Sequence, residues 1–155
     1  MKTILFVCTG NTCRSSMAEA IFRELVKDIE GYKDIKILSA GTWAAEGQKA
    51  SRNAIEALKD KGIDLSLHMS KPLTKDMVEE ADLILTMTEN HKIQILNALP
   101  HSREKVHTLK EFAHGKAENI NISDPYGQNI EVYRACADEI TIALKKVITD
   151  KFLNK

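Results

Sequence analysis

Short apolar runs alternate along this chain with segments in which apolar residues recur every three to four positions. The runs predict strands at residues 3–7, 35–39, 82–87 and, more weakly, 105–107. The periodic segments predict helices at residues 16–27, 51–61, 74–80, 89–99 and 130–148. Strands and helices in alternation are typical of a parallel sheet that helices cover on both faces. The sequence therefore predicts an α/β fold.

Length and composition are those of one globular domain. The chain has 155 residues, of which 43% are hydrophobic and 28% are charged, a balance that supports a single core. Because no repeat, low-complexity stretch or linker interrupts the sequence, residues 1–155 are predicted to form a single domain. Basic and acidic side chains both number 22, and this zero net charge gives no global field that would favour nucleic acid or an anionic membrane as a partner.

The first apolar run and the cysteine content indicate a cytoplasmic protein. The run at residues 3–7 is too short for the core of a signal peptide and far too short to span a bilayer. The chain has three cysteines, an odd number that does not make the disulfide framework of a secreted domain. We therefore expect a cytoplasmic location and no membrane partner.

The segment from Cys8 to Ser15 carries the most informative chemistry. Cys8 and Arg14 stand six positions apart, between the first strand and the first helix. Backbone N–H groups of a glycine-containing turn and of a helix N-terminus bind anions, and an arginine adds a planar fork for two phosphate oxygens. These surroundings favour the thiolate form of Cys8, which can attack a bound phosphate and form a cysteinyl-phosphate.

Other residues of the same loop have supporting roles in this interpretation. The Ser15 hydroxyl is placed to donate a hydrogen bond to the thiolate, Asn11 can tie the loop to its surroundings, and Gly10 would admit a positive φ angle. The alternative is a buried structural cysteine beside an incidental arginine. The sequence lacks the nucleotide P-loop motif, and Cys8 and Cys13 lack the second pair of ligands that a zinc site needs.

The candidate acid lies in Asp124-Pro125-Tyr126-Gly127, a turn before the last helix. A proline after an aspartate restricts the backbone, and Asp124 can protonate a leaving atom and then activate water as a base. By itself this motif is an ordinary turn signal. Its pairing with the Cys8 loop makes Asp124 the favoured acid, although the sequence does not show that the two come close.

The loop Val7-Cys8-Thr9-Gly10-Asn11-Thr12-Cys13-Arg14-Ser15, together with Asp124-Pro125-Tyr126, resembles the low-molecular-weight protein tyrosine phosphatase family. The resemblance extends through Ser39-Ala40-Gly41 and residues 81–87 and 107–111, and it covers nearly the whole chain. It implies a single domain with a four-stranded parallel sheet and helices on both faces. It also implies phosphorylated proteins as substrates, a monomer, and no cofactor or metal.

The resemblance assigns roles to three groups of residues. It implies Cys8 as the nucleophile, Arg14 as the phosphate binder and Asp124 as acid and then base. Supports of the loop are implied at Asn11, Ser15 and Ser39. Residues expected to bind phosphate or substrate share the loop or its rim, and they are Thr9, Gly10, Asn11, Thr12, Cys13, Ser15, Trp43 and Tyr126.

Thr12 is the residue expected to decide the substrate. Tyrosine-specific members of the family often carry an aliphatic residue there, whereas the bacterial protein-arginine phosphatases that this chain resembles carry threonine. A threonine hydroxyl can accept a hydrogen bond from the planar N–H donors of phosphoarginine, which a phosphotyrosine ring lacks. A polar group of this kind can discriminate strongly. The sequence therefore favours protein phosphoarginine, with phosphotyrosine as the alternative.

The remaining features separate this family from its rivals. The resemblance implies a reversible, protective Cys8–Cys13 disulfide, and Cys136 is predicted to lie in the core. Arsenate reductases of the same fold need two further cysteines in mid-chain, and this sequence has none between Cys13 and Cys136. Arg14 and Asp124 argue for hydrolysis rather than for a phosphocarrier, and the intact nucleophile argues against a non-catalytic binding module. Ser16 stands where the family usually has a proline at the start of the helix. Some members place a hydrogen-bonding histidine near residue 67, and neither Leu67 nor His68 is assigned that role here.

Overall fold

The computed structural model describes residues 2–115 and 119–150. The strands in this part are β1 (Thr3–Cys8), β2 (Lys36–Gly41), β3 (Leu83–Thr86) and β4 (Val106–Thr108). The α-helices are α1 (Arg14–Val26), α2 (Arg52–Lys59), α3 (Lys75–Glu80), α4 (Glu89–Ala98), α5 (Leu109–His114) and α6 (Ile130–Asp150), and a 3₁₀-helix, Pro100–Lys105, precedes β4. Residues 151–155, which the sequence places in the same domain, lie outside the described residues.

The strands form one parallel sheet in the order β2-β1-β3-β4. The pairing register sets Cys8 beside Gly41, Val7 beside Thr86, and Thr86 beside Thr108. All four strands therefore end at the same edge, which is where ligands bind in open parallel sheets. The predicted four-stranded parallel α/β fold is confirmed.

Successive residues of β1 point to opposite faces of the sheet and fill two separate cores. Ile4 and Phe6 belong to the larger core, which α1, α2 and α6 cover. Leu5 and Val7 belong to the smaller core, where they join residues of α3 and α4. Both faces of β1 are buried, and this rigid strand carries Cys8 at its end.

The structure differs from the predicted elements mainly at their ends. Helix α1 begins at Arg14, two positions before the predicted start, so the last residues of the loop are already helical. Helix α5 was not predicted from the sequence. Its start is marked by a capping box between Thr108 and Glu111. Among the described residues, no helix is both long and apolar enough to cross a membrane.

Candidate active site

The loop between β1 and α1 is braced by the segment that follows β2. Backbone N–H groups of Thr42 and Trp43 donate to the carbonyl oxygens of Cys8 (2.8 Å) and Thr9 (3.0 Å). Gly41 makes this approach possible, because a Cβ at this position would overlap the Thr9 carbonyl oxygen. Backbone hydrogen bonds thus hold the start of the loop against the segment that follows β2 before any side chain contributes.

The Cys8 thiol is buried and receives two hydrogen-bonding groups from the start of α1. Its Sγ lies 2.8 Å from the Ser15 hydroxyl oxygen and 3.4 Å from the Ser15 backbone nitrogen. The Asn11 side-chain amide donates to the same Ser15 oxygen at 2.8 Å. The Ser15 hydroxyl can donate to the sulfur or, at 3.5 Å, to the Ala40 carbonyl oxygen, and the sulfur is the nearer of the two. These contacts place Ser15 against the Cys8 sulfur and Asn11 against Ser15.

Asn11, and not the neighbouring Gly10, adopts a positive φ angle in this loop, with a φ of 57°. An asparagine tolerates this conformation when its side chain is bonded locally. Here Oδ1 accepts from the Lys71 backbone N–H at 3.0 Å, and Nδ2 donates to the Ser39 hydroxyl oxygen at 2.9 Å as well as to Ser15. The Lys71 contact fixes which end of the amide faces the site.

The side chains of Glu19 and His68, to which the sequence assigns no role, complete the support. The Ser39 hydroxyl donates to a Glu19 carboxylate oxygen at 2.6 Å, which leaves the Ser39 oxygen free to accept from Asn11. His68 Nε2 lies 2.6 Å from the Asn11 backbone oxygen. Buried or half-buried polar groups therefore hold Asn11 from three directions and stabilise the loop in this conformation.

Arg14 is almost fully buried, and its guanidinium is only partly used by the protein. Nη1 donates to the Ile122 carbonyl oxygen at 2.9 Å, and Nη2 lies 3.6 Å from the Asp124 carboxylate. In the described part of the chain, Arg14 Nε is the one buried side-chain nitrogen or oxygen without a hydrogen-bond partner. A buried cationic donor of this kind is suited to bind an anion.

The chain before Asp124 runs beside the end of β3 and thereby reaches the loop. The Ile122 N–H donates to the Met87 carbonyl oxygen at 2.8 Å, and the Met87 N–H donates to the Val7 carbonyl oxygen at 2.9 Å. The Asp124 carboxylate accepts from the Tyr126 backbone N–H at 3.1 Å. These contacts place Asp124 next to Arg14, which the sequence could not show.

A pocket of about 270 Å³ opens over the loop. Its lining includes most of the residues predicted to act on substrate, namely Cys8, Thr9, Gly10, Thr12, Cys13, Arg14, Trp43, Asp124 and Tyr126. The Trp43 and Tyr126 side chains stand at the rim and are 86% and 72% exposed, so neither is packed into the core. Asn11, Ser15 and Ser39 are absent from the lining and support the loop from behind.

The other two cysteines have different surroundings. Cys13 is buried in the loop, with its sulfur 3.4 Å from the Ser51 hydroxyl oxygen and 3.5 Å from the Tyr133 hydroxyl oxygen. Cys136 lies in the larger core, as the sequence predicts, and burial raises its pKa to about 12. A thiol with such a high pKa remains protonated and unreactive at neutral pH.

Comparison with known proteins agrees with this site. The family model described as low molecular weight phosphotyrosine protein phosphatase matches residues 3–155. The chain belongs to the low molecular weight phosphotyrosine protein phosphatase family. The predicted family and enzyme class, a phosphoprotein phosphatase, are thereby confirmed.

The individual relatives include protein-arginine phosphatases and a probable protein-tyrosine phosphatase. A protein-arginine-phosphatase of Bacillus subtilis (strain 168) is 43% identical over 144 residues, which cover 93% of each chain. The solved structure of the YwlE arginine phosphatase from Geobacillus stearothermophilus has a TM-score of 0.85 and 42% identity, and the match covers 95% of this chain and 90% of that one. A probable low molecular weight protein-tyrosine-phosphatase, EpsP, of Ralstonia nicotianae is 36% identical, covering 90% of this chain and 89% of its own.

Proposed function

We propose that this chain is a protein-arginine phosphatase that works through a phosphorylated Cys8. The observation that carries the proposal is the buried loop, in which Cys8 faces the Ser15 hydroxyl and Arg14 keeps an unpartnered donor. The identity of 43% to a protein-arginine-phosphatase over almost the full length supports the choice of substrate.

In the first step the Cys8 thiolate attacks phosphorus and an S–P bond forms. The bond from phosphorus to the guanidinium nitrogen breaks, and its electron pair leaves with that nitrogen, which takes a proton from Asp124. Arg14 and the backbone N–H groups of the loop bind the phosphoryl oxygens, whose charge they stabilise. The 3.6 Å separation of Arg14 and Asp124 supports a carboxyl group at the edge of the phosphate site.

In the second step a water molecule attacks the phosphorus of the cysteinyl-phosphate. Asp124, now a carboxylate, takes a proton from that water, and the S–P bond breaks with its electron pair returning to Cys8. The Ser15 hydroxyl, 2.8 Å from the sulfur, stabilises the departing thiolate. Inorganic phosphate is released and both side chains regain their starting protonation states.

Thr12 is the proposed substrate filter. It lies in the loop, half-buried, and lines the pocket together with Trp43 and Tyr126. Its hydroxyl can accept a hydrogen bond from the guanidinium of phosphoarginine, whereas an aliphatic side chain there would leave those N–H donors unpaired in a partly dry pocket. The exposed rings of Trp43 and Tyr126 can hold the planar guanidinium and the neighbouring polypeptide.

We expect Thr12→Ile to lower the preference for phosphoarginine over phosphotyrosine by about a hundredfold, because a polar partner is replaced by an apolar one. The measurement is phosphate release, as kcat/KM, from a phosphoarginine protein and a phosphotyrosine peptide side by side. Thr12→Ser keeps the hydroxyl and is the matched control, which should retain the wild-type preference. Wild-type preference for phosphotyrosine would instead make the chain a tyrosine phosphatase, the function that EpsP's name indicates for that relative.

The proposal extends to the setting of the enzyme. Residues 1–155 act as one phosphatase domain, working as a monomer in the cytoplasm of a bacterium on phosphorylated proteins, without nucleic acid or membrane partners. The family match over residues 3–155 supports the single domain. We also propose that Cys13, a buried neighbour in the same loop, protects Cys8 from over-oxidation. Peroxide would oxidise the Cys8 thiolate to a sulfenic acid, the Cys13 thiol would displace water from it to form a disulfide, and a thiol reductant such as dithiothreitol would restore both cysteines.

A further inference from the structure

His91 is a buried histidine at the back of the phosphate loop. It is the third residue of helix α4 and is 4% exposed. Its Nε2 lies 2.9 Å from the hydroxyl oxygen of Thr9, the residue that directly follows Cys8. This contact joins α4, which covers the smaller core, to the loop that holds the nucleophile.

The hydrogen bonds around His91 define which ring nitrogen carries the proton. The Thr88 backbone N–H points at Nδ1 from 3.2 Å, and a backbone N–H can only donate. Nδ1 therefore accepts, so the proton of the neutral ring lies on Nε2 and is donated to the Thr9 oxygen. Burial lowers the pKa of His91 to about 4, the Arg14 charge acts in the same direction, and the Asp124 charge opposes them. The ring is neutral throughout the physiological range.

Thr9 is consequently anchored through both its backbone and its side chain. Its carbonyl oxygen accepts from the Trp43 N–H at 3.0 Å, on the β2 side of the loop. Its hydroxyl is held by His91 on the β3 side, and in the described part of the chain this is the one hydrogen bond that the Thr9 hydroxyl makes. Without His91 the first turn of the loop would be fixed from one side alone.

We propose that His91 is a positioning residue that acts through Thr9, donating from Nε2 to hold the first turn of the phosphate loop in its anion-binding shape. The role is separate from that of His68, which contacts the backbone oxygen of Asn11 at the middle of the loop. His91 does not touch the substrate. It determines how well the backbone N–H groups beside Cys8 converge on a phosphoryl group.

The inference rests on the proposed function, and its test separates the two by measuring anion binding without turnover. Trp43 is the single tryptophan of the chain and lines the pocket, so its fluorescence can report the binding of inorganic phosphate. His91→Ala and Thr9→Val should each weaken phosphate binding, and lower kcat/KM on para-nitrophenyl phosphate, by about tenfold, the size expected for one hydrogen bond. The double variant should be no weaker than the weaker single variant.

Two further variants distinguish positioning from simple packing. His91→Gln can place an amide N–H near the original Nε2 position and should restore most of the phosphate affinity. His101→Ala removes an exposed histidine that is bonded to Glu79, and it should behave as wild type. Thermal melting of each variant checks that it is folded.

The proposal is overturned if folded His91→Ala binds phosphate as wild type does, or if the His91→Ala and Thr9→Val losses simply multiply. It is also overturned if folded His91→Gln is as weak as His91→Ala. A wild-type enzyme that binds phosphate but does not release it from para-nitrophenyl phosphate would contradict the proposed function instead. The phosphate-binding comparison between the variants would still decide the role of His91.

Discussion

Cys8→Ser is expected to lower turnover by about 10⁴-fold or more, because a serine hydroxyl is a far weaker nucleophile than a thiolate. Binding of inorganic phosphate should persist, since Arg14 and the backbone N–H groups of the loop remain in place. The oxygen of serine is smaller than sulfur and still lies within reach of the Ser15 hydroxyl, which now contacts sulfur at 2.8 Å. The measurement pairs phosphate release from para-nitrophenyl phosphate with phosphate binding followed by Trp43 fluorescence.

The matched control for this change is Cys136→Ala. Cys136 is buried in the larger core and has a pKa of about 12, so its removal should leave turnover near the wild-type value. Cys8→Ser that keeps a tenth or more of wild-type turnover would contradict the thiolate mechanism.

Asp124→Asn should lower turnover of phosphoarginine by about 10²- to 10³-fold, because an amide cannot deliver the proton that the leaving nitrogen needs. Turnover of para-nitrophenyl phosphate should fall much less in the first step, since para-nitrophenolate departs without a proton. The substitution preserves the shape of a side chain that lies 3.6 Å from Arg14, so phosphate binding should change little. Comparing single-turnover rates on the two substrates isolates the acid step from the later attack of water.

Asp138→Asn is a suitable control, because this exposed carboxylate pairs with Lys61 on the surface. It should leave both single-turnover rates unchanged. If Asp124→Asn lowers the single-turnover rates on the two substrates equally, Asp124 is not the acid. Its role would then be to orient Arg14.

The chemistry of the loop could be predicted from the sequence because its parts are contiguous. Cys8 ends strand β1, and Arg14 and Ser15 begin helix α1, so their local order is enough to bring a thiol, a guanidinium and a hydroxyl together. The alternation of strands and helices likewise predicted the parallel sheet and hence the edge at which the strands end. Asp124 was chosen on its motif, and its position was supplied only by the structure.

The supports of the loop could not be predicted because they come from distant parts of the chain. Glu19, Lys71 and His91 reach Ser39, Asn11 and Thr9 only after the sheet has formed. One signal was present for His91, since Thr88 and His91 have the spacing of a helix N-cap and its third residue. That spacing indicates a capped helix start and gives no sign that the ring also reaches the loop.

The positive φ angle shows a second limit of local reasoning. Glycine adopts this conformation at little cost, and Gly10 is the residue of the loop that would admit it most easily. The structure uses Asn11 instead, because contacts with Lys71, Ser39 and Ser15 hold its side chain in place. Tertiary hydrogen bonds thus overrode the intrinsic preference.

The most direct test of the mechanism is to find where the phosphoryl group rests during turnover. Wild-type enzyme would be mixed with a phosphoarginine protein and quenched within one turnover, and the phosphorylated residue would be identified by mass spectrometry of its peptides. We predict that phosphate is bound to Cys8 before inorganic phosphate is released. The Cys8→Ser variant should contain no phosphocysteine. Release of phosphate with no covalent adduct, or an adduct on another residue such as Cys13 or His91, would contradict the mechanism.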